Sequence, residues 1–196
     1  MLIIKKGMEL YMCNLIIFVS GNGSTLQNII DNIENSNLNA KIALVVSDNP
    51  HAFALERAKQ AGIPTYVIQS KSLETRDIEL TNELAKYEID LIVLAGYLKM
   101  IGPRLIENHT IINTHPSLLP AYGGKGMYGM NVHTAVVNAK ERFSGVTVHY
   151  VTGEYDKGDI ISQTKIELEK GETPESLSAK VQKVEKIQLI DVLKNF

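Results

Sequence analysis

Asn113 and His115 stand two residues apart in the run Asn113-Thr114-His115-Pro116-Ser117-Leu118-Leu119-Pro120, and Asp156 follows downstream in an acidic turn. An amide, an imidazole and a carboxylate are a minimal set for moving an acyl group between an amine and a carrier. The amide polarises a carbonyl oxygen, the imidazole shuttles a proton, and the carboxylate holds the imidazole in its protonated form. Residues two apart on an extended segment project to the same side, and Pro116 and Pro120 stiffen the loop beyond. Taken singly, each element has a plainer reading. Asn-x-His is more often structural, and Glu154-Tyr155-Asp156-Lys157-Gly158-Asp159 has the composition of a solvated loop. The chemical reading rests on all three groups together.

A second chemical run, Ser20-Gly21-Asn22-Gly23-Ser24-Thr25, follows an apolar strand-like segment and opens a helical pattern. Glycines let the backbone approach an anion, while helix-start N–H groups and hydroxyls supply donors. Leu26 replaces the third glycine of a dinucleotide fingerprint, and no Gly-Lys-Ser/Thr follows, so the run is neither that fingerprint nor a P-loop. It suits either a ribose monophosphate or an ordinary tight turn. His133 and His149 lean inward on their patterns, whereas His51 and His109 read as surface or turn residues. No H-E-x-x-H or close His pair is present, and no metal is expected.

The elements that must position these groups alternate between short apolar strands and amphipathic helices. Leu15 to Val19, Ile42 to Val46, Thr65 to Ile68 and Leu91 to Ala95 read as buried parallel strands. Between them, Leu26, Ile29, Ile30 and Ile33 recur at helical spacing, Ala52 to Ala61 reads as a helix capped at Gly62, and Thr75 to Tyr87 as a helix with Ile78, Leu80 and Leu84 inward. Gly145 to Val151 and Ile160 to Ile166 follow as strands, with a helix over Val132 to Ala139. Pro174 to Leu193 predicts a long final helix, N-capped by Thr173, with Leu177, Val181, Val184, Ile187 and Ile190 inward. The expectation is an α/β fold: a doubly wound, mostly parallel, Rossmann-like sheet with helices on both faces. Ligands in such folds sit beyond the carboxyl ends of the strands, where the Gly21 loop, the Gly96-Tyr97 turn and the Asn113 run all fall.

The chain has 196 residues, 44% hydrophobic and 21% charged, with a net charge of −2. That is the composition of one globular domain over residues 1–196, with 1–13 as an N-terminal extension and Met8 or Met12 as alternative starts. A nucleic-acid partner would favour a basic chain, and no apolar run is long enough for a membrane span. The single cysteine, Cys13, excludes an internal disulfide and reads as a small buried hydrophobe. A cytoplasmic setting, and a monomer or homodimer, are expected.

Several runs together carry a family resemblance. They are Ser20 to Gln27, Ser47-Asp48-Asn49-Pro50, Ala52 to Ala58, Leu94-Ala95-Gly96-Tyr97-Leu98-Lys99-Met100, Asn113 to Pro120, and His149-Tyr150-Val151 with Asp156-Lys157-Gly158. They closely resemble the phosphoribosylglycinamide formyltransferases of purine synthesis, within the folate-dependent formyltransferase superfamily. The resemblance implies transfer of a formyl group from 10-formyltetrahydrofolate, as co-substrate, to the amine of glycinamide ribonucleotide, without a metal. It implies that Asn113 binds the formyl oxygen, that His115 stabilises the tetrahedral intermediate and moves protons, and that Asp156 pairs with His115. It places the ribonucleotide phosphate on Gly21, Asn22, Gly23, Ser24 and Thr25 with Arg76, and the nucleotide on Gln182 and Glu185. Folate falls to Leu98, Lys99, Met100 and Ile101, walled by Val151, Thr152, Gly153, Glu154 and Tyr155, with His149 in support.

Three departures stand out. Thr114 occupies a position usually aliphatic, Lys99 one where Arg is common, and the Gly123 to Gly129 run is an insertion that could act as a lid. Methionyl-tRNA formyltransferases and formyltetrahydrofolate deformylases share the catalytic run. They carry an added C-terminal or N-terminal domain for which this chain is expected to have no room. A noncatalytic nucleotide-binding module is the remaining alternative on the fold alone.

Overall fold

Alternating residues of the first strand pack on opposite sides of the sheet, and this organises the molecule. A computed structural model describes residues 12–196; the expected start at Met8 and most of the N-terminal extension lie outside the described residues. In β1 (Cys13–Val19), Leu15, Ile17 and Val19 join one core layer, with Leu26, Ile29 and Ile30 of α1 (Ser24–Glu34) and Leu189 of the last helix. Ile16 and Phe18 face the other layer, with Leu80, Leu84 and Leu105. A strand buried on both faces needs a continuous apolar run, and all five residues from Leu15 to Val19 are apolar and buried.

The remaining elements are β2 (Ala40–Ser47), α2 (Phe53–Gln60), β3 (Thr65–Val67), α3 (Leu73–Leu84), β4 (Leu91–Leu94), α4 (Pro103–Asn108), β5 (Ile111–His115), α5 (Met130–Asn138), β6 (Phe143–Tyr150), β7 (Ile160–Glu167) and α6 (Pro174–Leu193). They build one seven-stranded sheet in the order β3-β2-β1-β4-β5-β6-β7. The first five strands pair in parallel, and β6 and β7 pair antiparallel to their neighbours. The order reverses at β1/β4, so the ends of β1, β4 and β5 flank the crevice that the topology reserves for ligands.

The final helix forms where expected, with a reciprocal capping box between Thr173 and Ser176 and Pro174 in its first turn. Cys13 is buried, as its plain reading requires. Two helical positions turn outward instead. Ile187 is 66% exposed and Ile78 38% exposed, because each lies at the edge of its apolar stripe while Ile190 and Leu80 take the core positions. Helix α4 was not foreseen. Its amides at Arg104 and Leu105 are capped by the carboxylate of Asp77, from α3, at 3.0 and 3.3 Å. A cap supplied from elsewhere in the chain leaves no local sequence signal.

Candidate active site

The C-terminal half of β5 carries both reactive groups into one cleft. Asn113 and His149 are directly opposed on β5 and β6, and the Asn113 Nδ2 amide donates to His149 Nε2 at 3.1 Å. The other imidazole nitrogen of His149, Nδ1, donates to the Tyr150 carbonyl at 2.8 Å. The Tyr150 carbonyl can only accept, so Nδ1 carries a hydrogen and Nε2 faces both Asn113 and Asp156. One hydrogen of the Asn113 amide remains for a ligand.

His115 is buried, and its Nε2–H donates to the Tyr122 carbonyl at 2.8 Å. That leaves Nδ1 turned to Asp156, whose Oδ2 lies 3.5 Å away, while Oδ1 lies 3.5 Å from His149 Nε2. The Gly124 amide donates to Oδ2 at 2.8 Å. Burial acts to raise the Asp156 carboxyl, but the two facing imidazoles, His149 and His115, and the Gly124 N–H together hold it below the usual carboxylate range. Burial drives His115 the other way from the sequence expectation. Its pKa is lowered below the ordinary imidazole value, because desolvation outweighs the attraction of Asp156. The resting imidazole is therefore the neutral base, and Asp156 stands ready to stabilise the imidazolium once a proton arrives.

The loop after His115 is clamped from the sheet. The fully buried Thr147 hydroxyl donates to the Ser117 carbonyl at 2.6 Å and accepts from the Leu119 amide at 3.1 Å. Gln163 Nε2 donates both to that hydroxyl, at 3.0 Å, and to the Leu119 carbonyl, at 2.8 Å. On the opposite wall, Ser20 Oγ donates to Asp48 at 2.5 Å and accepts from the Leu98 amide at 3.0 Å, tying the glycine loop to the segment after β4. Between the walls lies a cavity of about 660 Å³ that reaches from Thr25 and Glu185 past His115 to Leu98 and Tyr155. An amide donor, a neutral imidazole and a carboxylate bordering one cavity can stabilise an oxyanion and relay a proton.

Residues 13–193 match the family described as Formyl transferase. The chain belongs to that family. A phosphoribosylglycinamide formyltransferase of Escherichia coli (strain K12) is 35% identical over 174 residues, covering 86% of this chain and 80% of the relative. A chloroplastic phosphoribosylglycinamide formyltransferase of Arabidopsis thaliana is 39% identical over 173 residues, 85% of this chain and 59% of the relative, so the chain spans little more than half of that protein's length. The crystal structure of a phosphoribosylglycinamide formyltransferase from Bacillus halodurans superposes with a TM-score of 0.85 at 34% identity, covering 93% of this chain and 94% of that one.

Most positions carried over from the formyltransferase family meet in the cavity. Ser24, Thr25, Gln182 and Glu185 line one end, and Leu98, Lys99, Met100, Ile101, Val151, Thr152, Glu154 and Tyr155 line the other, with Asn113, His115, His149 and Asp156 between. Gly21, Asn22 and Gly23 stand behind that lining. Gly23 adopts a left-handed φ of 76° as the N-cap of α1 with no side chain capping the helix, and a Cβ there would meet the Ala54 Cβ at 2.5 Å. The helix start thus keeps its first amides free for an anion. Asn22 is held from behind by Arg57, whose guanidinium donates to its carbonyl and side-chain oxygens at 2.9 and 3.0 Å. Gly153 also lies outside the lining.

Arg76 is placed differently from the family expectation. It is buried, and its guanidinium donates to the Met100 carbonyl at 3.1 Å and the Lys71 carbonyl at 3.5 Å, rather than lining the cavity beside Thr25. It braces the segment after β4 through Met100.

Two contributors singled out in the sequence without an assigned role also border the cavity. The Gly123 to Gly129 insertion lines the cavity through Gly124, Lys125 and Tyr128, and it supplies the amide that holds Asp156. His133, on α5, also borders the cavity, buried and, among the described residues, with no hydrogen-bond partner for Nδ1. Burial and the nearby His115 hold its pKa down. Among the described residues, no group of three or more His, Cys, Asp or Glu is arranged to hold a metal ion, and no helix is long and apolar enough to cross a membrane.

Proposed function

We propose that this chain transfers a formyl group from 10-formyltetrahydrofolate to the amine of glycinamide ribonucleotide, acting in the cytoplasm on two small-molecule substrates. The observation that carries the reading is the position of the Asn113–His115–Asp156 set midway along a cavity with two unlike ends. One end offers hydroxyls, a carboxylate and free helix amides, the groups that suit a ribose phosphate. The other is lined mostly by apolar side chains, among them Leu98, Met100, Ile101 and Val151, and suits a flat heterocycle.

In this reading the substrate amine is the nucleophile, so the protein needs no nucleophilic Ser or Cys. The amine nitrogen bonds to the formyl carbon, and the free N–H of Asn113 donates to the oxygen as it gains charge. A donor of this kind is worth about 3–4 kcal/mol in the transition state. Neutral His115 takes the proton that the amine loses, becoming an imidazolium beside ionised Asp156. The carbon–nitrogen bond to the folate then breaks, and that proton goes to the departing folate nitrogen. Gly21 to Thr25, Gln182 and Glu185 hold the ribonucleotide. Leu98 to Ile101 and the 151–155 segment hold the folate, and His149 orients Asn113.

A spectrophotometric assay with a stable 10-formyl folate analogue tests this. Deformylated folate released only when glycinamide ribonucleotide is present is the expected result. Release without the ribonucleotide would identify a deformylase. No release from folded protein under either condition would sink the assignment and favour a binding module.

A further inference from the structure

Thr114 sits between the two reactive residues of β5, and its side chain leaves the strand on the opposite side from theirs. Its hydroxyl donates to Oε1 of Glu185 at 2.9 Å. Thr25, in the first turn of α1, donates to the same oxygen at 3.1 Å. Three separate elements, β5, α1 and α6, thus meet on one carboxylate oxygen. Among the described residues, Oε2 accepts from no protein group, and it is not a buried orphan. Glu185, Thr25, Thr114 and Gln182 all border the same end of the cavity. With Oε1 satisfied from the protein side, Oε2 is the oxygen left for a ligand.

We propose that Thr114 is a positioning residue for the ribonucleotide. Together with Thr25 it pins Oε1 of Glu185, so that Oε2 stands as a fixed acceptor for the vicinal hydroxyls of a ribose. The inference rests on the proposed transferase reading and deepens it. Three observations support it beyond proximity. A carboxylate on a helix turn has several rotamers, and two donors from different elements select one of them. The two donors come from different elements, so the carboxylate also ties α1 to β5 at that end of the cavity. Burial pushes the Glu185 carboxyl up on balance, and the two threonine hydroxyls oppose that push in part. The aliphatic residue usual at this position in the resembling family could supply neither the orientation nor the charge stabilisation.

The test compares wild type, Thr114→Val and Thr114→Ser in the formyl-transfer assay, varying each substrate separately. Valine keeps the shape and removes the donor, and serine restores the donor without the methyl group. The expected result is a KM for glycinamide ribonucleotide raised about 10-fold in the valine variant, with kcat within about 2-fold and the folate KM unchanged. The serine variant should return close to wild type. Thermal melting supplies a second readout: the ribonucleotide should raise the Tm of wild type and of the serine variant, and do so less for the valine variant at equal concentration. An unchanged ribonucleotide KM in Thr114→Val, or a serine variant as impaired as valine, overturns the proposal. Wild-type protein that transfers no formyl group to the ribonucleotide overturns the underlying reading and the proposal with it.

Discussion

The Gly124 amide donates to Oδ2 of Asp156 at 2.8 Å, and this is the oxygen that lies 3.5 Å from Nδ1 of His115. A residue of the glycine-rich insertion therefore holds the carboxylate on which the imidazolium form of His115 depends. Asp156 itself adopts a left-handed φ of 55°, a conformation that tertiary partners must stabilise. Asp156→Asn keeps the shape and removes the charge. Turnover should fall by about 10²–10⁴-fold, while ribonucleotide affinity measured by calorimetry stays within about 2-fold of wild type.

Gly123→Ala tests the insertion without replacing a reactive group. A Cβ at Gly123 would meet Leu119 Cδ2 at 2.6 Å and Asp156 Cβ at 3.2 Å. The loop must shift to relieve that clash, and the Gly124 N–H should draw away from Oδ2. A lower kcat with unchanged circular dichroism is the expected outcome. An unaltered kcat would show that the loop does not position Asp156.

Thr147→Val removes a wholly buried hydroxyl that serves Ser117, Leu119 and Gln163 at once. Its loss leaves their polar groups short of a partner and should cost about 1–3 kcal/mol of stability. Urea denaturation measures that cost. Because the same hydroxyl clamps the loop after His115, kcat should fall as well.

Arg76 separates two accounts of the nucleotide end. The family resemblance assigns it to the phosphate, whereas the structure directs its guanidinium to the carbonyls of Met100 and Lys71. Arg76→Met should raise the folate KM several-fold and leave the ribonucleotide KM nearly unchanged. The reverse split would return Arg76 to the phosphate.

Glu79 provides a pH-dependent prediction away from the chemistry. Burial acts to raise its carboxyl, but bonds from the Gln69 amide, the Ser70 amide and the Tyr66 hydroxyl pull it down to about 2. Its pKa is thus lower folded than unfolded. Its stabilisation is complete above the ordinary value of 4.5 and is lost as pH falls through about 2. Glu79→Gln should lower Tm at pH 7 by an amount equivalent to about 1–2 kcal/mol. The gap from wild type should narrow as the medium is acidified towards pH 2.

Strand and helix placement was largely legible because it depends on local patterns. Leu15 to Val19 is apolar throughout, and Thr173-Pro174 marks the start of α6 before any tertiary contact is known. That Asn113 and His115 would face one cavity was legible for the same reason, since they stand two apart on one strand. What escaped depends on partners distant in sequence. Asp77 caps a helix in another part of the chain, Arg76 reaches a carbonyl of the loop after β4, and Gly124 reaches Asp156 across the cleft. The resting charge of His115 is likewise set by tertiary packing. Desolvation depends on the whole surrounding packing, and no spacing along the chain reveals it.

The pairing of Asn113 with His149 carries a consequence for how this site can change over evolutionary time. The two residues are opposite rungs of the β5–β6 ladder, so their separation is set by backbone hydrogen bonding between two internal strands of the sheet. Loops bordering the cavity can lengthen, shorten or be exchanged without moving that amide. The amide proposed to bind the formyl oxygen is thereby insulated from drift in the surrounding contacts, and recognition can diversify around it.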